Sequence, residues 1–435
     1  EAFLKLIKDN KTKHIFIQGL EGSSIALFFS NLLEHKQAHI IIANDLDEAG
    51  YLYNDLVQIN GNDHILLFPS GYKRDIKYGQ PDPPSEILRT EVLNRLCQKG
   101  ESLLIVTYPE AIAEKVVPVN MLSEQTLHID KNSKCDIITL SDKLRERGFE
   151  EVDYVYEPGQ FAVRGSILDV FSYTNELPYR IDFFGKEVES IRTFEVETQL
   201  STGKLEEVYI VANVCGQEAS GISILDFIDK NTILICHNLS WVIDRISAIA
   251  SESLSEQTLI AEEGDRYAMQ KIIDVTAFQK KITTFRRIDY GTSSEANAPA
   301  VIRFNCAPQG VYHKNFDLVS QSFSQFIEKG YTLYILSDSE KQIERLQAIF
   351  EERGDSISFT PVLRTLHEGF VDNDLKIGCF TDHQIFDRFH KYTLKSEHAR
   401  SGKLALSLKE LNQIEVGDYI VHVDHGIGRF GGLIH

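Results

Sequence analysis

Apolar runs separated by helical patterns are the feature that most constrains the fold of this chain. The runs KHIFIQG (13–19) and AHIIIA (38–43) flank the helical pattern SIALFFSNLLEH (24–35). Strands that are buried on both faces are almost continuously apolar, and a helix between two such strands is typical of a parallel sheet. Two more apolar runs follow, HILLF (64–68) and SLLIVT (102–107). The first part of the chain therefore predicts an α/β lobe.

Length and composition favour a globular protein of several domains. The chain has 435 residues, of which 43% are hydrophobic and 25% are charged, and about three domains are expected. No apolar run reaches the ~18 residues that span a bilayer, so no membrane association is expected. The net charge of −19 argues against broad nucleic-acid binding. The chain begins Glu1-Ala2-Phe3 without a methionine, which indicates a fragment trimmed at its start.

The cysteines predict neither a metal site nor a disulfide framework. They lie far apart and form no CxxC pair: Cys97, Cys135, Cys215, Cys236, Cys306 and Cys379. This spacing is typical of a cytoplasmic protein with reduced thiols. Asp45, Asp47 and Glu48 are candidates for a metal site, but acids at a helix start are common and stabilising, and a helix cap is favoured.

The pattern changes between residues 119 and 200. After the helical stretch DKLRERG (142–148), short alternating strands predominate, which predicts a small α+β insert. The apolar run TILICHN (232–238) again predicts a buried strand. The lobe is therefore expected to be split, with residues 1–118 and 201–290 on either side of the insert. Its helix at 85–98 follows a proline-rich turn, with Ser85 as the predicted N-cap.

A second small α/β domain is predicted at residues 301–395. It contains two helical patterns around the strand TLYILS, with Asp338 or Ser339 as the cap of the second helix and Gly354 at its end. The polar stretch 284–300 is typical of a linker, and the domain boundaries place linkers at 291–300 and 396–408. The last segment, 409–435, predicts a strand, a glycine-rich turn and a second strand.

The stretch Phe161–Thr193 predicts strands joined by turns, with one aromatic ring on a polar face. Because side chains alternate along a strand, two sets are expected on opposite sides: Ile181 and Phe183 on one, and Arg180, Asp182 and Phe184 on the other. An exposed aromatic ring beside an arginine is typical of a protein-binding hot spot. The alternative is that Phe184 ends the strand and packs under the turn at Gly185-Lys186.

This stretch resembles a known family. The runs GQFAVRGSILDVF (159–171) and ELPYRIDFFGKEVESIRTF (176–194) resemble the UvrA-binding module shared by UvrB and the transcription-repair coupling factors (Mfd). The resemblance implies that two arginines and a phenylalanine contact UvrA, at Arg164, Arg180 and Phe184. Alanine at Arg180 or Phe184 is then expected to weaken binding by about 2 kcal/mol with little effect on folding.

The turn after the first strand, GLEGSSIALFF (19–29), is similar to a phosphate-binding loop without its reactive side chains. Compared with the loop of UvrB, Gly19 and Gly22 remain, Ser24 replaces the last glycine, Ile25 replaces the lysine and Ala26 replaces the hydroxyl residue. Lysine neutralises phosphate charge and the hydroxyl holds magnesium, so neither ATP hydrolysis nor any cofactor is expected.

Two further comparisons favour the coupling factors over UvrB. The stretch 68–86 is too short for the long DNA-gripping hairpin of UvrB and predicts a solvated loop. The run IEVGDYIVHVDHGIGRFGG (414–432) resembles the start of the RNA polymerase-interacting domain of the coupling factors and CarD-like regulators. His422, Asp424 and His425 in this run are interpreted as structural. The resemblance implies a multidomain α/β protein: a degenerate helicase-like lobe related to UvrB with an α+β insert, a small α/β domain and the start of a β-barrel.

The expected activity is docking. UvrA is the expected partner of the insert, and RNA polymerase that of the truncated last domain. DNA is expected to be bound only through a C-terminal motor that is missing here. Two alternatives remain at this stage: a nucleotide hydrolase of the UvrB or helicase type, and an unrelated α/β enzyme whose insert is a lid.

Overall fold

A computed structural model describes residues 3, 6–7, 12–72, 82–98, 100–124, 126–131, 134–175, 177–196, 198–212, 221–255, 272–291, 300–388, 419–422 and 426–429. The chain divides into two compact units. The first comprises residues 1–81, 92–119 and 217–394, and the second comprises residues 82–91, 120–216 and 395–435.

The strands in the described residues are β1 (His14–Gln18), β2 (Ala38–Ile42), β3 (Ile65–Leu67), β4 (Leu103–Thr107), β5 (Thr126–Asp130), β6 (Glu150–Glu151), β7 (Gln160–Arg164), β8 (Ile167–Val170), β9 (Tyr179–Phe184), β10 (Glu187–Phe194), β11 (Ser201–Leu205), β12 (Glu207–Val211), β13 (Ile233–Cys236), β14 (Arg286–Gly291), β15 (Ala300–Arg303), β16 (Cys306–Pro308), β17 (Thr332–Leu336), β18 (Thr360–Val362), β19 (Phe370–Asp372), β20 (Ile377–Thr381), β21 (Tyr419–His422) and β22 (Gly426–Arg429). The α-helices are α1 (Ser24–Ser30), α2 (Leu46–Asn60), α3 (Pro83–Cys97), α4 (Pro109–Ala113), α5 (Val119–Glu124), α6 (Ile137–Glu146), α7 (Ile224–Phe227), α8 (Leu239–Ser255), α9 (Val275–Ile282), α10 (Phe316–Glu328), α11 (Glu340–Glu352) and α12 (Asp382–Ile385).

A parallel sheet forms the lobe of the first unit. Its strand order is β15-β1-β14-β13-β2-β4-β3, and each neighbouring pair is parallel. The parallel sheet predicted from the apolar runs is confirmed. So is the return of the chain after the insert, because β13 pairs with β2 on one side and with β14 on the other.

The polar stretch 284–300 was predicted as a linker, and this interpretation is wrong for its first half. Residues Arg286–Gly291 form β14 inside the sheet, where Ile288 and Tyr290 are buried. Arg286, Arg287 and Asp289 conceal the strand from a composition argument because they interrupt its apolar residues. Strand β15 joins the same sheet, and the sheet of the small domain therefore starts at Cys306.

Helix starts were predicted with mixed success. Asp45 caps α2 by accepting a hydrogen bond from the Glu48 amide at 2.9 Å, and a Glu48 carboxylate oxygen accepts one from the Asn44 amide at 2.8 Å. This confirms the favoured cap. Helix α3 begins at Pro83, so Ser85 lies in its first turn and the predicted N-cap is wrong. Proline fits the first turn because it needs no intrahelical donor there.

The small α/β domain has a five-stranded sheet within the described residues, ordered β16-β19-β20-β17-β18. Helices α10 and α11 pack on one face, around a core that includes Phe323, Ile335 and Phe380. Ser339 occupies the N-cap position of α11, and Gly354 follows its end with φ +72°. The predicted helices and the strand TLYILS are confirmed, whereas the short strands β16 and β19 and the short helix α12 were not predicted.

The second unit contains an α+β insert, as predicted. Its main sheet has the order β11-β10-β9-β8-β7-β6, and β5 pairs with β12. Helix α6 packs on one face around Leu140, Leu144, Ile181 and Phe183. The unit extends past the boundary expected at residue 200 because β11 pairs with β10, which adds residues 201–211 to it.

The last described segment is an antiparallel pair of β21 and β22, which confirms the two predicted strands. Asp424, His425, the linker 396–408 and the side chain of His422 lie outside the described residues. Residues 73–81 of the stretch 68–86, which was predicted as a solvated loop, also lie outside them, whereas residues 83–86 form the first turn of α3.

Candidate functional site

Strand β9 presents the predicted polar face. Its residues alternate: Tyr179, Ile181 and Phe183 are buried, Arg180 and Asp182 are half-buried, and Phe184 is 77% exposed. The predicted strand parity is confirmed. The alternative in which Phe184 packs under the following turn is wrong, because the ring is open to solvent. Gly185, with φ +65°, turns the chain directly after it.

A fully buried carboxylate, Asp169 on β8, organises this face. Asp169 and Arg180 are directly opposite each other on paired strands. The Arg180 Nε donates to Asp169 Oδ1 at 2.7 Å and its Nη2 donates to Oδ2 at 2.8 Å. Arg164 on β7 donates to the same carboxylate. Two guanidinium groups therefore share one carboxylate, which leaves the trio with a net positive charge.

Arg180 is held on several sides. Its Nη1 donates to the Gln199 carbonyl at 3.0 Å, and its guanidinium carbon lies 4.4 Å from the ring centroid of Phe194. The Arg180 side chain is only 13% exposed. The hydrogen bond with Asp169 raises the pKa of Arg180, although partial burial opposes this. Arg180 therefore supports the fold of the sheet, which the expectation of an exposed arginine had missed.

Arg164 is more accessible. Its side chain is 34% exposed, and its guanidinium carbon lies 5.0 Å from the ring centroid of Tyr154. On the neighbouring part of the face, Arg192 donates to Asp182, which also accepts from the Ser190 hydroxyl at 2.6 Å. The predicted residues Arg164, Arg180 and Phe184 thus lie on one face of one sheet, beside one further arginine–carboxylate pair, Arg192 and Asp182.

Sequence reasoning missed Asp169, Tyr154 and Phe194. The alternation of Asp169 with the apolar Leu168 and Val170 along β8 indicates a polar position, but only the register of the sheet shows that Asp169 shares a face with the arginines. The alternation of side chains along β8 does not predict the positions of Tyr154 and Phe194. Only the folded sheet shows that their rings contact the guanidinium groups.

The loop between β1 and α1 turns through two glycines with left-handed backbone conformation. Gly19 and Gly22 have φ of +84° and +54°. The Glu21 amide donates to Ser24 Oγ at 2.9 Å, and Ser24 Oγ donates to the Glu21 carbonyl at 2.7 Å. Ala26 is fully buried and Ile25 is half-buried. No cation or hydroxyl is available at these two positions, so the residues do not fit a nucleotide with magnesium.

Among the described residues, no group of three or more histidine, cysteine or acidic residues is placed to hold a metal ion. The cysteines in the described ranges form no disulfide with one another: Cys97, Cys135, Cys236, Cys306 and Cys379. Cys236 is buried, and Cys379 is half-buried with its pKa raised to about 12 by burial. In the part of the chain that the structure describes, no helix combines the length and the apolarity needed to cross a bilayer.

Comparisons with known proteins agree with the resemblance predicted from the sequence. Residues 127–214 match the family described as the UvrB interaction domain. The chain is 23% identical, over 96% of its length, to the transcription-repair-coupling factor of Staphylococcus aureus strain MRSA252, and 22% identical, over 97%, to that of Staphylococcus epidermidis strain RP62A. It spans 42% of the length of each of these relatives. The similarity to the N-terminal region of these factors is confirmed.

Proposed function

We propose that this chain is a docking segment in transcription-coupled DNA repair and that its second unit binds UvrA through Arg164, Arg180 and Phe184. The observation that carries the proposal is the exposed ring of Phe184 beside an ordered arginine face. The family match at 127–214 covers all three residues and supports the same reading.

The face around Phe184 has the properties of a protein-binding hot spot whose side chains are already ordered in the free protein. Phe184 exposes an apolar ring in the free protein, and this area is removed from water when a partner covers it. Asp169 fixes both guanidinium groups before binding, so little side-chain entropy is lost when they meet a partner. The uncompensated positive charge of the trio favours an acidic partner surface, and the planar guanidinium fork favours carboxylates.

The activity of the complete protein belongs to the same proposal. By analogy with the relatives, the parent protein displaces stalled RNA polymerase at DNA lesions by ATP-driven translocation. A polymerase contact through residues 409–435 and a DNA contact through a C-terminal motor belong to the same proposal, and both rest on the resemblance of the sequence to the coupling factors. The lobe is then a helicase-like fold that has lost its nucleotide chemistry, in line with Ile25 and Ala26 at the loop.

The test is co-purification of the chain with UvrA from the same organism. Retention of UvrA by the wild-type chain, and its loss with Phe184→Ala, supports the proposal. ATP turnover by the chain would instead favour the alternative of a UvrB-type or helicase-type nucleotide hydrolase. Absence of UvrA binding by a correctly folded chain would contradict the docking function.

A further inference from the structure

The loop Gly19–Ser24 of the lobe is engaged by a segment of the small α/β domain, His367–Gly369. The Glu368 amide donates to Ser23 Oγ at 2.9 Å, and the Ser23 amide donates to the Glu368 carbonyl at 3.3 Å. This reciprocal pair uses a backbone N–H of the kind that cradles phosphate in an active loop.

A buried carboxylate from α2, Asp55, completes the contact. Asp55 Oδ2 accepts from Ser23 Oγ at 2.5 Å, and Asp55 Oδ1 accepts from the His367 amide at 2.7 Å. The ring of His367 stacks on Tyr51 with centroids 3.5 Å apart. Asp55 thus joins the loop and the segment with its two oxygens.

The small domain holds the segment firmly from its own side. The Gly369 amide donates to Gln384 Oε1 at 2.8 Å, and the His383 Nε2 lies 2.8 Å from the His367 carbonyl. A Cβ on Gly369 would lie 1.9 Å from Gln309 Oε1. The segment is therefore a fixed projection of its domain, and its contact with the loop joins two bodies of the first unit.

We propose that the former phosphate-binding loop is an interaction surface whose ligand is the chain's own segment His367–Gly369, and that this contact docks the small domain (306–388) on the lobe independently of nucleotide. Ser23 and Asp55 are the positioning residues of the contact. The surface fits a peptide backbone that offers two successive N–H groups, as His367 and Glu368 do, and the carbonyl of the second residue.

The glycines and the local charge agree with this assignment. A Cβ at Gly22 would lie 2.9 Å from the Gly369 carbonyl, so glycine permits the peptide to approach as it would permit a phosphate. A triphosphate would meet Glu21, Glu48 and Glu368 around the adjoining cavity of about 350 Å³. Burial, and then Glu21, raise the pKa of Glu368. These carboxylates disfavour an anionic ligand.

Hydrogen exchange of the whole chain tests the proposal, with Ser23→Ala as the variant. Ser30→Ala is the matched control, because the Ser30 hydroxyl bonds only the Leu27 carbonyl within α1 in the described contacts. We expect exchange at 366–370 to rise about tenfold with Ser23→Ala and to stay unchanged in the control, with β2 and β17 still protected. Unchanged exchange at 366–370 would overturn the proposal, and so would an equal rise throughout both bodies.

A second experiment tests whether the loop Gly19–Ser24 is accessible to a nucleotide. Ile25→Lys, alone and together with Ala26→Ser, restores the side chains that nucleotide binding requires. Because the segment already occupies the loop, isothermal titration with Mg-ATP should show no binding at millimolar concentration. ATP binding by either variant would show that the segment yields to nucleotide and would overturn the proposal.

Discussion

Replacing Arg180 by alanine should destabilise the second unit, even though Arg180 lies on the face proposed to bind UvrA. The change removes two hydrogen bonds to the buried Asp169 and leaves that carboxylate with Arg164 as its remaining described partner. Removing one partner of a buried ion pair costs about 3–5 kcal/mol. Because Arg164 stays, we expect a loss of roughly 2–3 kcal/mol in the free energy of unfolding.

Thermal unfolding gives the assay. For a unit of this size, a loss of 2–3 kcal/mol lowers the midpoint by roughly 6–10 °C. Phe184→Ala should leave the midpoint almost unchanged, since substitutions of exposed residues usually stay within about 0.5 kcal/mol. Arg180→Lys should fall between the two because lysine keeps the charge but not the paired donors.

A double variant separates the buried charge from lost packing. If the uncompensated carboxylate is the cause, adding Asp169→Asn to Arg180→Ala should recover part of the lost stability. A midpoint of Arg180→Ala equal to that of the wild type would refute the reasoning, because Asp169 would then not depend on Arg180. From the sequence alone, Arg180→Ala is expected to have little effect on folding. The contacts of Arg180 with Asp169 predict a clear loss of stability instead.

Three further predictions concern the first unit. Isothermal titration of the wild-type chain with Mg-ATP should show no binding in the micromolar range, and binding that depends on Gly19 or Gly22 would contradict this. Burial raises the pKa of Asp55 to about 7, so this group stabilises the fold at low pH and its contribution is lost as the pH rises from about 4 to about 7. Burial lowers the pKa of His39 to about 4, so the contribution of His39 to stability changes with pH in the opposite direction. The readout is therefore the difference in unfolding midpoint between the wild type and Asp55→Asn, measured at pH 5 and at pH 8. The same change of midpoint between the two pH values in both proteins would refute the assignment. Gly19→Ala should destabilise more than Gly61→Ala, since both have positive φ but only at Gly19 would a Cβ lie 2.2 Å from the Phe304 carbonyl; equal urea midpoints would contradict that.

Periodicity was sufficient for the elements but not for their boundaries. The apolar runs predicted β1, β2 and β13 because strands buried on both faces are apolar throughout. The strand β14 was missed because Arg286, Arg287 and Asp289 interrupt its apolar residues. The insert was ended too early at residue 200, since β11 (STGKL) has few of the residues that favour strands and is specified by its pairing with β10.

Sequence alternation predicted which residues share the face of the candidate site, but it did not predict the contacts that stabilise them. Strand alternation placed Phe184 and Arg180 on one face because the period of two is a property of the backbone. It could not show that Arg180 is tied to Asp169, since that contact depends on the register of β8 against β9. The contact between the loop at Ser23 and the segment at His367 was equally inaccessible, because 344 residues separate the two and no local pattern links them.

The affinity of UvrA for Phe184→Ala is the measurement that tests the docking function most directly. Ile138→Ala is the matched control: Ile138 is 67% exposed on α6, which packs on the opposite face of the same sheet. We expect Phe184→Ala to weaken binding by about thirtyfold, or about 2 kcal/mol, at an unchanged unfolding midpoint, and Ile138→Ala to leave the affinity unchanged. Wild-type affinity in Phe184→Ala, or the same loss in Ile138→Ala, would contradict a UvrA-binding site on this face.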